Sequence, residues 1–213
     1  ASRFEGRVRI GRGARVYDST VRNYLLGDES LVERVTALEC RRRSAFGNGT
    51  EVAAMNECAG RTVRIYDALT AQIAYLLAVY RHRPQTIAAL ERMIGAYVLE
   101  RTSELGSVGR GACVKGARFV REVRIGDGAT IDGATLLENG TLCAGAFVGA
   151  DVKARDFILA EGARVDNGSI LERCFVGESS VLDKGFTATH SLFFANCHCE
   201  CGEAASVFAG PYT

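Results

Sequence analysis

The chain has 213 residues, room for one or two domains, and 47% of them are apolar, enough for a sizeable core. Its 26 basic and 25 acidic residues leave a formal charge of +1, so overall charge makes no case for nucleic acid. The longest apolar run in its helical part, IAYLLAV, is far too short to span a membrane, and no charged-then-apolar leader is expected. With two prolines and no tryptophan, neither disorder nor an aromatic binding platform is expected, and the cytoplasm is the expected compartment.

From the amino end, VRIGRGARVYDSTV sets apolar residues at Val8, Ile10, Val16 and Val21. LLGDESLVERVTAL adds Leu26, Val32 and Leu38, and FGNGTEV adds Phe46 and Val52. Steps of five and six with glycine between them predict β coils over residues 1–65. The spacing breaks around Glu39 to Ser44, which predicts a looped-out insertion there. Arg41, Arg42 and Arg43 form the only dense basic run. The run reads first as a solvated loop and second as an anion contact. NECAGR contributes Asn56, Glu57 and Arg61, placed either to reach a sugar or to pin the next segment.

Over 66–107 the period changes. Leu69, Ile73, Leu76, Leu77 and Tyr80, then Ile87, Leu90, Met93, Ile94, Tyr97 and Val98, fall at helical spacing. Asp67 is a plausible N-cap, Pro84 suits the first turn of a second helix, and Gly106 suits its end. An inserted helical hairpin at about 67–82 and 84–104 follows. Its role is packing against the β part or a neighbouring subunit, or forming the wall or lid of a site. YRHRP brings Tyr80, Arg81, His82 and Arg83 together at a helix end. Two guanidiniums and an imidazole suit a phosphate or carboxylate. The helix dipole disfavours an anion there, so a positively charged C-cap is the competing reading.

From 108 to 213 the chain repeats every seventeen residues. Steps from Val108 meet Ile125, Leu142, Leu159, Val176 and Phe193. Steps from Val114 meet Ile131, Val148, Val165, Leu182 and Cys199, and steps from Val120 meet Leu137, Ala154, Leu171, Ala188 and Ala205. All eighteen are apolar. The residues two before the second column are Ala112, Ala129, Ala146, Ala163, Ser180 and Cys197, all small. Two sixes and a five predict three short parallel strands per coil, with inward columns and tight corners: a mainly β, triangular parallel β-helix.

Strand alternation turns Cys197 and Cys199 inward and His198 outward, and puts His190 outward or at a corner. The eight cysteines show no CxxC spacing and read as reduced thiols. In NCHCECGE the potential ligands split across a strand and cannot converge, so no metal site is expected. The P-loop pattern GxxxxGK[ST] is absent, and GRGARV and FGNGTE lead into β turns, so dinucleotide binding is not expected.

The hexad spacing resembles the hexapeptide-repeat superfamily of left-handed β-helices; the left hand comes from the resemblance, since crossovers are usually right-handed. FGNGTEVAAMNECAGR, IYDALTAQIAYLLAVYRHRP, LERCFVG and SLFFANCHCECGEAASVFAGPYT together resemble, over most of the chain, an uncharacterised bacterial hexapeptide-repeat family with a helical insertion. Its members are described by analogy with sugar-nucleotide acyltransferases or the bifunctional N-acetylglucosamine-1-phosphate uridyltransferase, and fold analogy does not fix chemistry. The resemblance implies acyl transfer from acyl-CoA or acyl carrier protein to a sugar or sugar-nucleotide, with His190 or His198 as general base. It implies no tightly bound cofactor and a side-by-side homotrimer. A non-catalytic assembly or sugar-phosphate-binding module is the alternative. Family chains continue past FAGPYT through a histidine-rich segment, so a fragment of a longer protein is expected here.

Overall fold

Parallel strands dominate the computed structural model, which describes residues 1–58 and 60–213. Each strand pairs with the one a repeat further along. Val108, Ile125, Leu142, Leu159, Val176 and Phe193 are successive partners. So are Val114, Ile131, Val148, Val165, Leu182 and Cys199. Val120, Leu137, Ala154, Leu171 and Ala188 form the third column. The seventeen-residue register is therefore the pairing register. Apart from half-buried Cys199, these residues are buried, and so are the small residues from Ala112 to Cys197 beside the second column. Each buried Val or Leu contributes roughly 1.5–3 kcal/mol, so one misplaced column would cost more than the whole stability of an ordinary domain.

The last coil departs from this count. Ala188 pairs with Ala204, sixteen residues on, and not with Ala205. Ala204 packs on the core and Ala205 is exposed. The reason is one turn residue: the preceding corner uses both Lys184 and Gly185 at positive φ, whereas the final one uses Cys201.

Another corner is turned by one left-handed residue per coil. The strands Phe119–Ile125, Leu136–Leu142, Lys153–Leu159 and Ile170–Val176 bend at Glu122, Asn139, Asp156 and Arg173, with φ of 47°, 50°, 52° and 51°. His190 (φ 48°) and Ser206 (φ 54°) continue the column. Asn, Asp and His tolerate this conformation; Glu and Arg adopt it at a cost, so those corners invite a reason.

The insertion begins earlier than the sequence spacing indicates. Leu38 pairs with Val120, and strand Tyr24–Leu26 pairs with strand Gly106–Val108, so the ladder breaks after Glu39 and resumes at Gly106. Residues 40–65, expected to continue the coils, instead hold the antiparallel hairpin of Glu51–Ala53 and Thr62–Arg64. Helix α1 (Ala71–Val79) and helix α2 (Pro84–Arg101) follow. Thr70 caps α1, its hydroxyl accepting from the Ile73 amide at 3.3 Å, so Asp67 is not the N-cap. Pro84 opens α2 as expected, but the helix ends at Thr102, not Gly106. Gly106 serves another purpose: a Cβ there would lie 2.3 Å from the Tyr24 ring, which fills the space of the missing side chain. Ile158, Phe175, Leu192 and Phe194, outside the coils, form a second core with Leu69, Leu77 and Ile94 of the insertion. Among the described residues, no helix is long and apolar enough to cross a membrane.

Candidate functional site

The corner column explains where the insertion lies. Leaving after Glu39, the chain runs across successive corners and is fastened at four of them, Glu122, Asn139, His190 and Ser206. The Arg41 amide donates to Glu122 Oε1 at 2.8 Å. Ser44 Oγ and the Gly47 amide both donate to Asn139 Oδ1 at 3.0 Å, and Asn139 Nδ2 donates to Asp156 Oδ1 at 2.6 Å. The Ala53 amide donates to His190 Nδ1 at 3.1 Å, and the Met55 amide to the Ser206 carbonyl at 2.6 Å. Gly47 passes so close that a Cβ would lie 2.6 Å from the Phe157 carbonyl oxygen.

His190 is thus a clasp. With Nδ1 accepting from a backbone amide, the neutral ring carries its proton on Nε2, and Nε2 is a donor. Taking a proton from a hydroxyl would require releasing Ala53. Replacing His190 with Ala should cost about 1–2 kcal/mol, concentrated in the hairpin. Hydrogen exchange at the Ala53 amide should accelerate; unchanged protection would show that the bond holds nothing.

The other sequence candidates are dispersed. His198 is exposed, its Nε2 3.0 Å from Glu200 Oε1, and Glu200 also pairs with Lys184. The Lys184 hydrogen bond, then that of His198, lowers the Glu200 carboxyl from its ordinary value. Tyr80 caps the end of α1, its ring 5.5 Å from that of His82 and 5.9 Å from that of Tyr75. Arg81 and Arg83 are exposed in the turn between the helices, and Asn56, Glu57 and Arg61 are exposed between the hairpin strands. Neither His190 nor any of these eight residues lines the main cleft.

That cleft, about 470 Å³, opens between the start of α1 and the coil corner at Gly177. Its apolar floor includes Leu69, Ala160, Phe175 and Phe194, the two rings 5.5 Å apart. Asp67, Thr70, Gln72 and Glu178 supply polar groups. Asp67 is held in place: the Tyr97 hydroxyl donates to its Oδ1 at 2.5 Å, and Arg101 Nε lies 3.7 Å from its Oδ2. Burial, and then this bond to Asp67, raise the Tyr97 hydroxyl, so it stays a donor. The Ala71 and Gln72 amides, in the first turn of α1, have no intrahelical partner, and both residues line the cleft. Donors, carboxylate acceptors and an aromatic floor together suit a neutral polyhydroxylated ligand. Two carboxylates disfavour an anion. Sequence reading missed this site because Phe175 and Phe194 are separated from Asp67 by over a hundred residues. The available signal was an outward apolar series, Ile158, Phe175 and Leu192, one residue before the inward column.

Burial pushes the Cys40 and Cys143 thiols up to about 11 and Cys174 to about 12, so none of the three is poised as a nucleophile. Among the described residues, no three His, Cys, Asp or Glu side chains are grouped to hold a metal ion.

The profile of a family described as "Domain of unknown function (DUF4954)" matches residues 8–213. A protein of Treponema pallidum (strain Nichols), described as an uncharacterized protein, is 23% identical over 133 residues. The match covers 57% of this chain and 18% of that relative, so the chain spans less than a fifth of the relative's length. No solved structure matches.

Proposed function

We propose, on the premise that this chain belongs to the DUF4954 family, that it is a carbohydrate-binding and assembly module built on a left-handed, hexapeptide-type parallel β-helix. Its ligand is a neutral sugar or the sugar moiety of a sugar-nucleotide, held in the cleft beside α1. The observation that carries this reading is the pairing of the Phe175 and Phe194 floor with the fixed Asp67 carboxylate and Glu178 across one concavity. A pyranose presents one apolar face to rings and hydroxyls to carboxylates and free amides. The cytoplasm and a side-by-side homotrimer are part of the same proposal.

Calorimetry with N-acetylglucosamine and UDP-N-acetylglucosamine tests it. Binding in the millimolar range or tighter should weaken roughly tenfold in Glu178→Ala, an exposed position whose loss spares the core. Absence of heat with either ligand, or equal binding by the variant, would remove the reading.

A second reading, acyl transfer, rests on His198 and Glu200. Glu200 accepting from Nε2–H would leave Nδ1 as the base for an acceptor hydroxyl. Thiol release from acetyl-CoA that needs a sugar acceptor and disappears in His198→Ala would favour it over a purely binding role.

A further inference from the structure

A different part of the molecule, independent of the sugar cleft, carries a cationic pocket that the sequence shows only in fragments. Arg41, Arg42 and Arg43 lie where the chain leaves the coils, Arg7 in the first coil, and Glu104 just before the return strand. With Asn23 they line one concavity of about 200 Å³. Asn23 ties the walls together: its Oδ1 accepts from the Arg7 amide at 3.0 Å, and its Nδ2 donates to the Cys40 carbonyl at 2.8 Å. Gly6, at φ 64°, lets this happen, since a Cβ there would lie 2.1 Å from Asn23 Oδ1. The arginine loop is clamped at both ends. The Cys40 amide donates to the Arg22 carbonyl at 3.0 Å, and Ser44 and Ser103 exchange two backbone bonds of 2.9 Å. Its arginines are therefore carried on ordered backbone, which reduces the entropic cost of closing on a ligand.

The charges do not cancel. Arg7 pairs with Glu104 at 2.6 Å. Glu39 lies between Arg41 at 2.7 Å and Arg121 at 2.9 Å, and Glu122 is engaged by the Arg41 amide. Of the four guanidiniums lining the concavity, Arg7 is offset by Glu104 and Arg41 by Glu39, which leaves Arg42 and Arg43, a surplus of two positive charges. Among the described residues, neither Arg42 nor Arg43 has an ion-pair partner.

We infer that this pocket is a binding site for the phosphate group of a small soluble phosphate monoester. Such a group carries a charge of about −1.5 to −2 at neutral pH, which matches the surplus. Guanidinium forks bind its oxygens in pairs, which a lysine cannot do. The concavity, about 200 Å³, suits a compact anion.

Calorimetric titration of the intact chain with inorganic phosphate at low ionic strength tests the site. Arg42 and Arg43 are exposed, so an Arg42→Ala/Arg43→Ala variant should keep the parent's circular dichroism and melting curve. Its phosphate affinity should fall roughly tenfold or more, and Arg42→Lys/Arg43→Lys should lose most of the same binding despite equal charge. The cleft's response to N-acetylglucosamine should remain as in the parent, which separates this inference from the proposed function. Undiminished phosphate binding in the alanine pair would overturn the site. Full retention in the lysine pair would reduce it to diffuse charge and overturn it too. So would binding to phosphatidic acid vesicles or duplex DNA without binding of free phosphate.

Discussion

Val165→Asp eliminates the cooperative thermal transition. Val165 has no exposed surface and stacks between Val148 and Leu182 in one inward column. A carboxylate at that point meets aliphatic neighbours and no donor. Burying it unpaired, or forcing the coil open to hydrate it, costs more than about 4 kcal/mol, a large part of a typical 5–15 kcal/mol stability. Circular dichroism melting provides the measurement, with Lys153→Glu as the exposed control, expected within about 0.5 kcal/mol of the parent. A soluble Val165→Asp protein melting within a few degrees of the parent would mean that the inward column has been assigned to the wrong residues.

The second large effect is expected at Gly140. A Cβ there would lie 2.2 Å from the Phe157 ring, which is fully buried one coil further on. The ring occupies the space that the glycine leaves, the same relation that Tyr24 has with Gly106. Gly140→Ala should therefore destabilise by about 3 kcal/mol, at the upper end for overpacking, because the ring has no exposed direction in which to move. Phe157→Leu removes volume from a fully buried position and should cost about 1–2 kcal/mol. Combined, the two substitutions should cost clearly less than their sum, with a coupling of at least about 1 kcal/mol in urea unfolding. Strict additivity would show that the ring and the glycine do not compete for one space.

The inward columns were legible because a repeating coil imposes the same demand at every turn: Val165 can be read from Ile131 and Val148 without knowing anything else. Where the demand changes by one residue, repetition misleads. Ala205 fits a seventeen-residue count, yet a corner one residue shorter puts Ala204 inside. Residues 40–65 misled differently. Phe46 and Val52 are six apart, as hexads would be, but Phe46 inserts into the main core and Val52 faces Val63 across an antiparallel pair. Spacing along one strand does not identify its partner. The insertion helices were visible from their 3.6-residue period, although Thr70 and not Asp67 proved to be the cap. Asp67 was already committed to Tyr97 and Arg101, an association between distant residues that no local pattern encodes. The cleft and the clasp column share that difficulty: Glu122, Asn139, Asp156, Arg173 and His190 recur at the period, but their polarity reads as ordinary surface until the chain crossing them is known.

At most coils of this corner a single residue joins one strand to the next; after Glu39 the stretch from Cys40 to Leu105 occupies that place. Leu38 and Val120 nevertheless keep the pairing they would have if the intervening 65 additional residues did not exist, and Ser44 and Ser103 meet as neighbours at the base. Closing a long excursion costs only logarithmically more than closing a short one. A lineage could therefore acquire or shed this whole appendage by splicing at one hinge position, without renumbering a single rung on either side. Each remaining corner of the column is, on the same grounds, a port at which new chemistry can be attached to an unchanged spine.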